Sequence, residues 1–322
     1  MTSAPGLLAS ARPDAAAIER AVLRTVAYGD VFEYPLRDSE VHRYLHGVRA
    51  TAEATAAALA RCSTPGGALT HRNGYYTLRG RDGLVDVRRA RAVHAGRLWP
   101  AAVRYGRAIA GLPFVRMVAV TGSLAWDNID NAGDIDYLIV TEPDHLWMCR
   151  WLVAAVGRVV RLRGAVLCPN YLVSSRALLL AEPNLYGAYE LVRMTPIVGR
   201  SMYRRLRFAN AWAADYLPNA IETPCPPDVQ ARPGHGIGNR VIARLKRLAE
   251  RALRSSAGTA LERYEMTYRI RKRVKQGLAQ GEASYGFDWY KGHSSGHRQR
   301  TLAAFTERLQ RLEGGGISGG VS

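Results

Sequence analysis

Apolar positions return along this chain at two spacings, and the spacing divides it into elements. From Asp14, the residues Ile18, Val22, Leu23 and Val26 recur at helical intervals, with Asp14 placed to cap the helix. Asp38-Ser39-Glu40 opens a second helix that carries Val41, Tyr44 and Leu45 on one face, and residues 51–59 give a third, rich in alanine. Two short extended runs, 68–70 and 75–78, flank Asn73-Gly74, a dipeptide suited to the tight turn of a hairpin. Three helices and a hairpin predict a winged helix-turn-helix over residues 14–83. Residues 84–110 read as a basic helix with Val85, Ala92, Leu98 and Val103 apolar, and the run Arg88-Arg89-Ala90-Arg91 is expected on its solvated face. Pro113 stops that helix.

Two apolar runs follow, 115–120 and 137–140, each bounded by turn residues as buried strands are. A helix over 143–160 and a third strand over 165–173 complete the pattern. Beyond it the spacing is helical at 184–194, 201–216, 241–253, 261–274 and 301–312. Residues 223–227 read as a linker, and residues 1–13 and 314–322 as flexible tails.

Candidate chemistry gathers between the two central strands. Gly122-Ser123 closes the first, and Gly133-Asp134-Ile135-Asp136 opens the second. Asp134 and Asp136 are two apart, so on a strand both carboxylates face the same way. Paired carboxylates repel each other unless a cation lies between them, and oxygen ligands suit magnesium. Gly122 allows a ligand to approach the backbone closely, and Ser123 offers a hydroxyl and an N–H to a phosphate oxygen.

These residues resemble the nucleotidyltransferase superfamily that includes DNA polymerase beta. Its signature is a hydrophobic strand ending in Gly-Ser, a gap of about a dozen residues, then Asp-hydrophobic-Asp on a second strand. The resemblance covers about thirty residues. It implies an α+β fold: a polymerase-beta-like core of a small mixed sheet with helices over 84–180, flanked by the winged helix and by a helical C-terminal domain over 181–313. It also implies transfer of a nucleoside monophosphate from a nucleoside triphosphate to an acceptor, with Mg2+ (or Mn2+) held by Asp134 and Asp136. Nucleotide contacts are then expected from Gly122, Ser123, Asn170, Arg204 and Arg205. Asn170 departs from the family pattern, because a third acid stands at the corresponding place in members that use three. An amide oxygen can ligate a cation but brings no charge and cannot serve as a base. Either the site works with two acids, or another carboxylate reaches in, with Asp127, Asp130, Asp144 and Glu190 as candidates, or activity is lost.

Composition narrows the partners without choosing the acceptor. The chain has 322 residues with 45 Lys+Arg against 27 Asp+Glu, a formal charge of +18, which favours polyanions. Its 48% hydrophobic content supports packed cores. The alanine-rich third helix offers almost nothing to read bases, which tilts the acceptor toward a small molecule; nucleic acid stays possible through Arg72, Arg79 and Arg81 or the basic run 269–275. The glycine-rich run 234–239 lacks the preceding strand of a dinucleotide fingerprint. Tyr285, Phe287, Trp289 and Tyr290 lie close to Lys291, His293 and His297, a mixture able to stack a base or to pack a core. Four scattered cysteines lack zinc-site spacing, and no run reaches the ~20 apolar residues of a membrane span, so a cytoplasmic protein with no membrane partner is expected. Two further readings remain: an inactive nucleotide sensor on the same fold, and a winged-helix regulator that binds nucleic acid.

Overall fold

The computed structural model describes residues 13–130, 133–162, 167–180, 183–222, 237–275, 284–292 and 296–314. In chain order the elements are α1 (Ala15–Val31), α2 (Asp38–Arg43), α3 (Ala52–Cys62), β1 (Leu69–Arg72), β2 (Tyr75–Leu78), α4 (Leu84–Ala110), β3 (Val115–Val120), α5 (Gly122–Ala125), β4 (Ile135–Thr141), α6 (Leu146–Arg161), β5 (Leu167–Ser174), α7 (Leu185–Arg193), β6 (Thr195–Val198), α8 (Arg200–Ala209), α9 (Ala213–Tyr216), α10 (Pro218–Glu222), α11 (Ile237–Leu253), α12 (Ser256–Lys275), β7 (Ser284–Tyr285), β8 (Trp289–Lys291) and α13 (His297–Gly314). They form two compact units: Met1–Val85 with Ala214–Thr223 and Arg308–Ser322, and Asp86–Ala213 with Pro224–Glu307.

In the first unit, Asp14 caps α1 by accepting the Ala17 N–H at 2.6 Å, and Thr51 caps α3 through Ala54 at 3.2 Å. The β1–β2 ribbon is antiparallel, and its turn residues Asn73 and Gly74 both have positive φ, at 53° and 80°. Leu36 bridges to Tyr76 and extends the ribbon by one pair. Val22, Val26, Val41, Leu45 and Leu59 fill the space between the three helices. Asn219, after α9, donates its side-chain amide to the carbonyls of His42 and Ala50, so a late segment of the chain helps hold the α2–α3 connection.

The second unit is a mixed α and β layer around a sheet ordered β6-β3-β4-β5-β8-β7. β3 pairs antiparallel with β4 and β6; β4 pairs parallel with β5; β8 runs antiparallel to β5. Helix α4 leads into β3, and the Tyr137 hydroxyl of β4 donates to the Ala102 carbonyl at 2.7 Å. The buried line of α4 is Val85, Arg88, Ala95, Ala102, Tyr105 and Ile109; Ala92 is exposed, and Arg88 is tucked in rather than solvated. The first turn of α6 has N–H groups at Trp147 and Met148 that its own cap leaves free, and both donate to the Glu262 carboxylate of α12 at 2.8 and 2.6 Å.

Two strands escape the apolar-run reading. β6 contains Pro196, which reads as a breaker, but β6 is an edge strand, where a missing N–H costs no ladder bond. β8 carries the aromatic cluster into the sheet; Tyr290 is buried, with the Arg150 guanidinium 4.4 Å from its ring centroid. The helix expected over 201–216 breaks at Asn210. That buried amide donates to the carbonyls of Leu178 and Leu206 and accepts from Leu180 N–H and Trp212 Nε1, bonds that a continuous helix would not allow. The glycine-rich 234–236 and His293 lie outside the described residues.

Candidate active site at the Gly122 corner

β3 delivers the chain to Thr121, whose N–H bonds the Asp136 carbonyl at 3.0 Å and so fixes the corner against β4. Gly122 follows with φ of 62°, in the left-handed region. A Cβ at this position would overlap the Asp136 carboxylate, so the glycine is required twice, by backbone conformation and by space. The Ser123 carbonyl accepts the N–H of Trp126 and of Asn128 and closes the turn. Asp127, with φ of 49°, accepts the Trp99 indole N–H at 2.8 Å and is a turn former.

Asp134 is exposed just before β4, and Asp136 is partly buried within the strand. In register beside Asp136 lies Cys168 of β5, whose thiol hydrogen-bonds the carboxylate. The β4–β5 register slips between Pro169 and Tyr171, leaving Asn170 as the extra residue of a bulge. Its carbonyl accepts from Gly292 N–H at 3.0 Å, while its buried side-chain oxygen has no hydrogen-bond partner among the described residues.

The third carboxylate comes from α7. Glu190 accepts the Gly122 backbone N–H and lies close enough to repel Asp136. Burial first, then the Glu190 and Asp134 charges, push Asp136 up to about 7, partly offset by the Cys168 thiol. Burial pushes Glu190 up to about 7 against the opposing pull of Arg193, Lys291 and the Gly122 N–H. Desolvation first, then the Asp136 and Asp134 charges, push the half-buried Cys168 thiol up to about 12. Arg193 is held in place flat against Trp126, 3.7 Å from the ring centroid, and Trp126 stacks on Tyr189 at 5.3 Å.

Of the four acids considered as replacements, only Glu190 reaches this corner. Asp144 pairs with Arg176 at 2.9 Å beyond the other end of β5, and Asp127 and Asp130 are exposed in the turn. The sequence signal for Glu190 was a lone carboxylate among Tyr189, Leu191 and Val192, all buried on α7. Arg204 and Arg205 are not brought to the aspartates. With Ser175, Arg176, Leu179 and Phe208 they line an open cleft of about 650 Å³ past the C-terminal end of β5. Asp136 pairs near the start of β5 and Thr141 near its end, a separation of about 17 Å along the strand.

Among the described residues no group of three or more His, Cys, Asp or Glu side chains forms a ready metal cage, and no helix is long and apolar enough to cross a membrane. No family model, curated protein or solved structure matches the chain.

Proposed function

We propose that this chain is a magnesium-dependent nucleotidyltransferase with a polymerase-beta-like core. It moves a nucleoside monophosphate from a nucleoside triphosphate to an acceptor and releases pyrophosphate. The observation that carries this reading is at the Gly122 corner, where the charges of Glu190 and Asp134 both act against Asp136, a repulsion that a cation would relieve. The donor types suit magnesium: Asp134 just before β4, Asp136 within it, Glu190 from α7, and the Asn170 amide oxygen, which has no hydrogen-bond partner among the described residues. Magnesium is commonly held by one or two carboxylates plus substrate phosphates, so it needs no closed protein cage. When bound, magnesium would neutralise phosphate charge and the attacking and leaving oxygens.

The protein's own groups divide the remaining work. Asp134 and Asp136 would hold the cation, and Glu190 would supply the negative charge that Asn170 lacks. The Gly122 N–H is already committed to Glu190, so contact with the terminal phosphates falls to the Ser123 hydroxyl and N–H. Arg193 and Lys291 stand behind Glu190 and limit the cost of bringing three acids together.

A small-molecule acceptor is favoured over nucleic acid. The exposed face of α3 is Ala52, Glu53, Ala56, Ala57 and Ala60, which offers no donor to a base edge and one repelling charge to phosphate. Arg61 at its end is paired with Glu19. The same face argues against a base-reading regulator, and Glu190 argues against a site left inactive by Asn170.

Calorimetric titration with ATP, CTP, GTP and UTP, with and without Mg2+, tests the reading. At least one triphosphate binds only with Mg2+, and Asp136→Asn and Glu190→Gln each weaken that binding at least ~10-fold. If none of the four binds with Mg2+ present, or both variants bind as the parent does, the assignment is wrong.

A further inference from the structure

Helices α11 and α12 are turned the opposite way from an ordinary surface pair. The faces they lay on the sheet unit are strongly polar. Lys246 donates to the carbonyls of Ala110 and Val115 at 2.7 Å each, Glu250 accepts Phe114 N–H and the Arg116 guanidinium at 2.8 Å each, and Glu262 caps α6. Leu253, Met266 and Ile270 add the apolar part of that contact.

The outward face of α11 carries Val241, Ile242, Leu245 and Leu248, which are 47%, 52%, 60% and 59% exposed. Val241, Leu245, Leu248 and Ala252 follow the 4-3-4 spacing of a single stripe, about 17 Å long at 1.5 Å per residue. Arg244, Arg247 and Arg251 run beside it, all exposed. α12 repeats the arrangement with Leu261, Tyr264 and Tyr268 exposed, the two tyrosine rings stacked at 6.1 Å, and Arg263, Arg271 and Lys272 outward. Every carboxylate of the two helices, Glu250, Glu262 and Glu265, is buried, so every exposed charge among their described side chains is positive.

We infer that this face is an interfacial docking surface for an anionic lipid bilayer, with no segment crossing it. An exposed aliphatic stripe needs an apolar acceptor, and the flanking arginines need negative charge; an anionic membrane surface supplies both at once. A second copy of the chain would bring the same positive charges face to face. A nucleic-acid backbone would satisfy the arginines and leave Val241, Leu245 and Leu248 without a partner. Tyrosines beside the stripe suit the headgroup region, where an amphipathic ring keeps its hydroxyl wet.

The inference is independent of the nucleotidyltransferase reading, and the test uses the full chain. The chain cosediments with vesicles of phosphatidylglycerol and phosphatidylcholine and not with phosphatidylcholine alone. Leu245→Glu with Leu248→Glu lowers the bound fraction at least ~10-fold, as does replacing Arg244, Arg247 and Arg251 by Ala. These side chains are exposed, so circular dichroism should show both variants folded. In Leu248→Trp, emission shifts to the blue on anionic vesicles only. No cosedimentation overturns the inference, as does binding that the Leu245/Leu248 pair does not affect. A parent dimer that the glutamates dissociate, without vesicle binding, assigns the face to a second copy instead. Binding to single-stranded RNA that needs the arginines and ignores the leucines, again without vesicle binding, assigns it to nucleic acid.

Discussion

Asp30 and Asp136 are both carboxylates drawn in from solvent, and their surroundings differ in sign. Asp30, 7% exposed, gives one oxygen to Arg81 Nε at 3.0 Å and the other to Arg308 Nε at 2.7 Å. Two guanidiniums from distant parts of the chain satisfy it, and both belong to its own unit. Asp136 meets Glu190, Asp134 and a thiol. The first carboxylate is a structural joint closed by opposite charges; the second is crowded by like charges. Glu250 and Glu262 resemble Asp30, each bonded by backbone N–H groups where the helices dock. The fold satisfies carboxylates at Asp30, Glu250 and Glu262 and crowds Asp136 with like charges, and the proposed site rests on that difference.

Three measurements sharpen or break this contrast. The largest effect is expected at the closed joint. Asp30→Ala removes the carboxylate shared by two guanidiniums, one of them with a side chain only 20% exposed, and lowers unfolding stability in urea by about 3 kcal/mol. A loss under about 0.5 kcal/mol would make Asp30 no more anchored than Asp136. Next is Gly122→Ala, which forces a non-glycine residue to φ of 62° and drives a methyl into the Asp136 carboxylate. Stability falls by about 1–2 kcal/mol and the Mg2+-dependent binding of triphosphate is lost. Retention of that binding would show that the Gly122 corner is not part of the site.

The smallest effect carries the clearest sign. Asp136 and Glu190 hold protons up to about 7 in the folded chain, well above their ordinary values of 3.8 and 4.5. Between those limits the folded state binds protons that the unfolded state has released, so their contribution is present at low pH and is lost as pH rises through about 7. Asp136→Asn therefore raises stability at pH 8 by about 1–2 kcal/mol while abolishing activity. Millimolar Mg2+ raises the Tm of the parent at pH 8 and leaves that of the variant unchanged. A variant less stable than the parent at pH 8 would place Asp136 with Asp30 as a structural group. His46 in the other unit gives the reverse slope: burial, then Arg24, lower it to about 3, so its contribution is present above 6.5 and is lost as pH falls toward 3.

Local signals in the sequence set much of this. Asp14 announced its helix, Asn73-Gly74 its hairpin, and the two apolar runs their strands, because capping, turn and burial preferences act over a few residues. The spacing of Asp134 and Asp136 likewise predicts two carboxylates on one strand face, whereas in the structure only Asp136 lies within β4 and Asp134 precedes it. Only the tertiary structure decided which groups lie beside Asp136. Glu190 is 54 residues after Asp136, and nothing within α7 says that its carboxylate will accept the Gly122 N–H. The edge position that excuses Pro196, the bulge that sets Asn170 apart, and the inward carboxylates of α11 and α12 also depend on which surface each segment meets. Those meetings are settled by burial and pairing between parts of the chain far apart in sequence, a quantity that no local window contains.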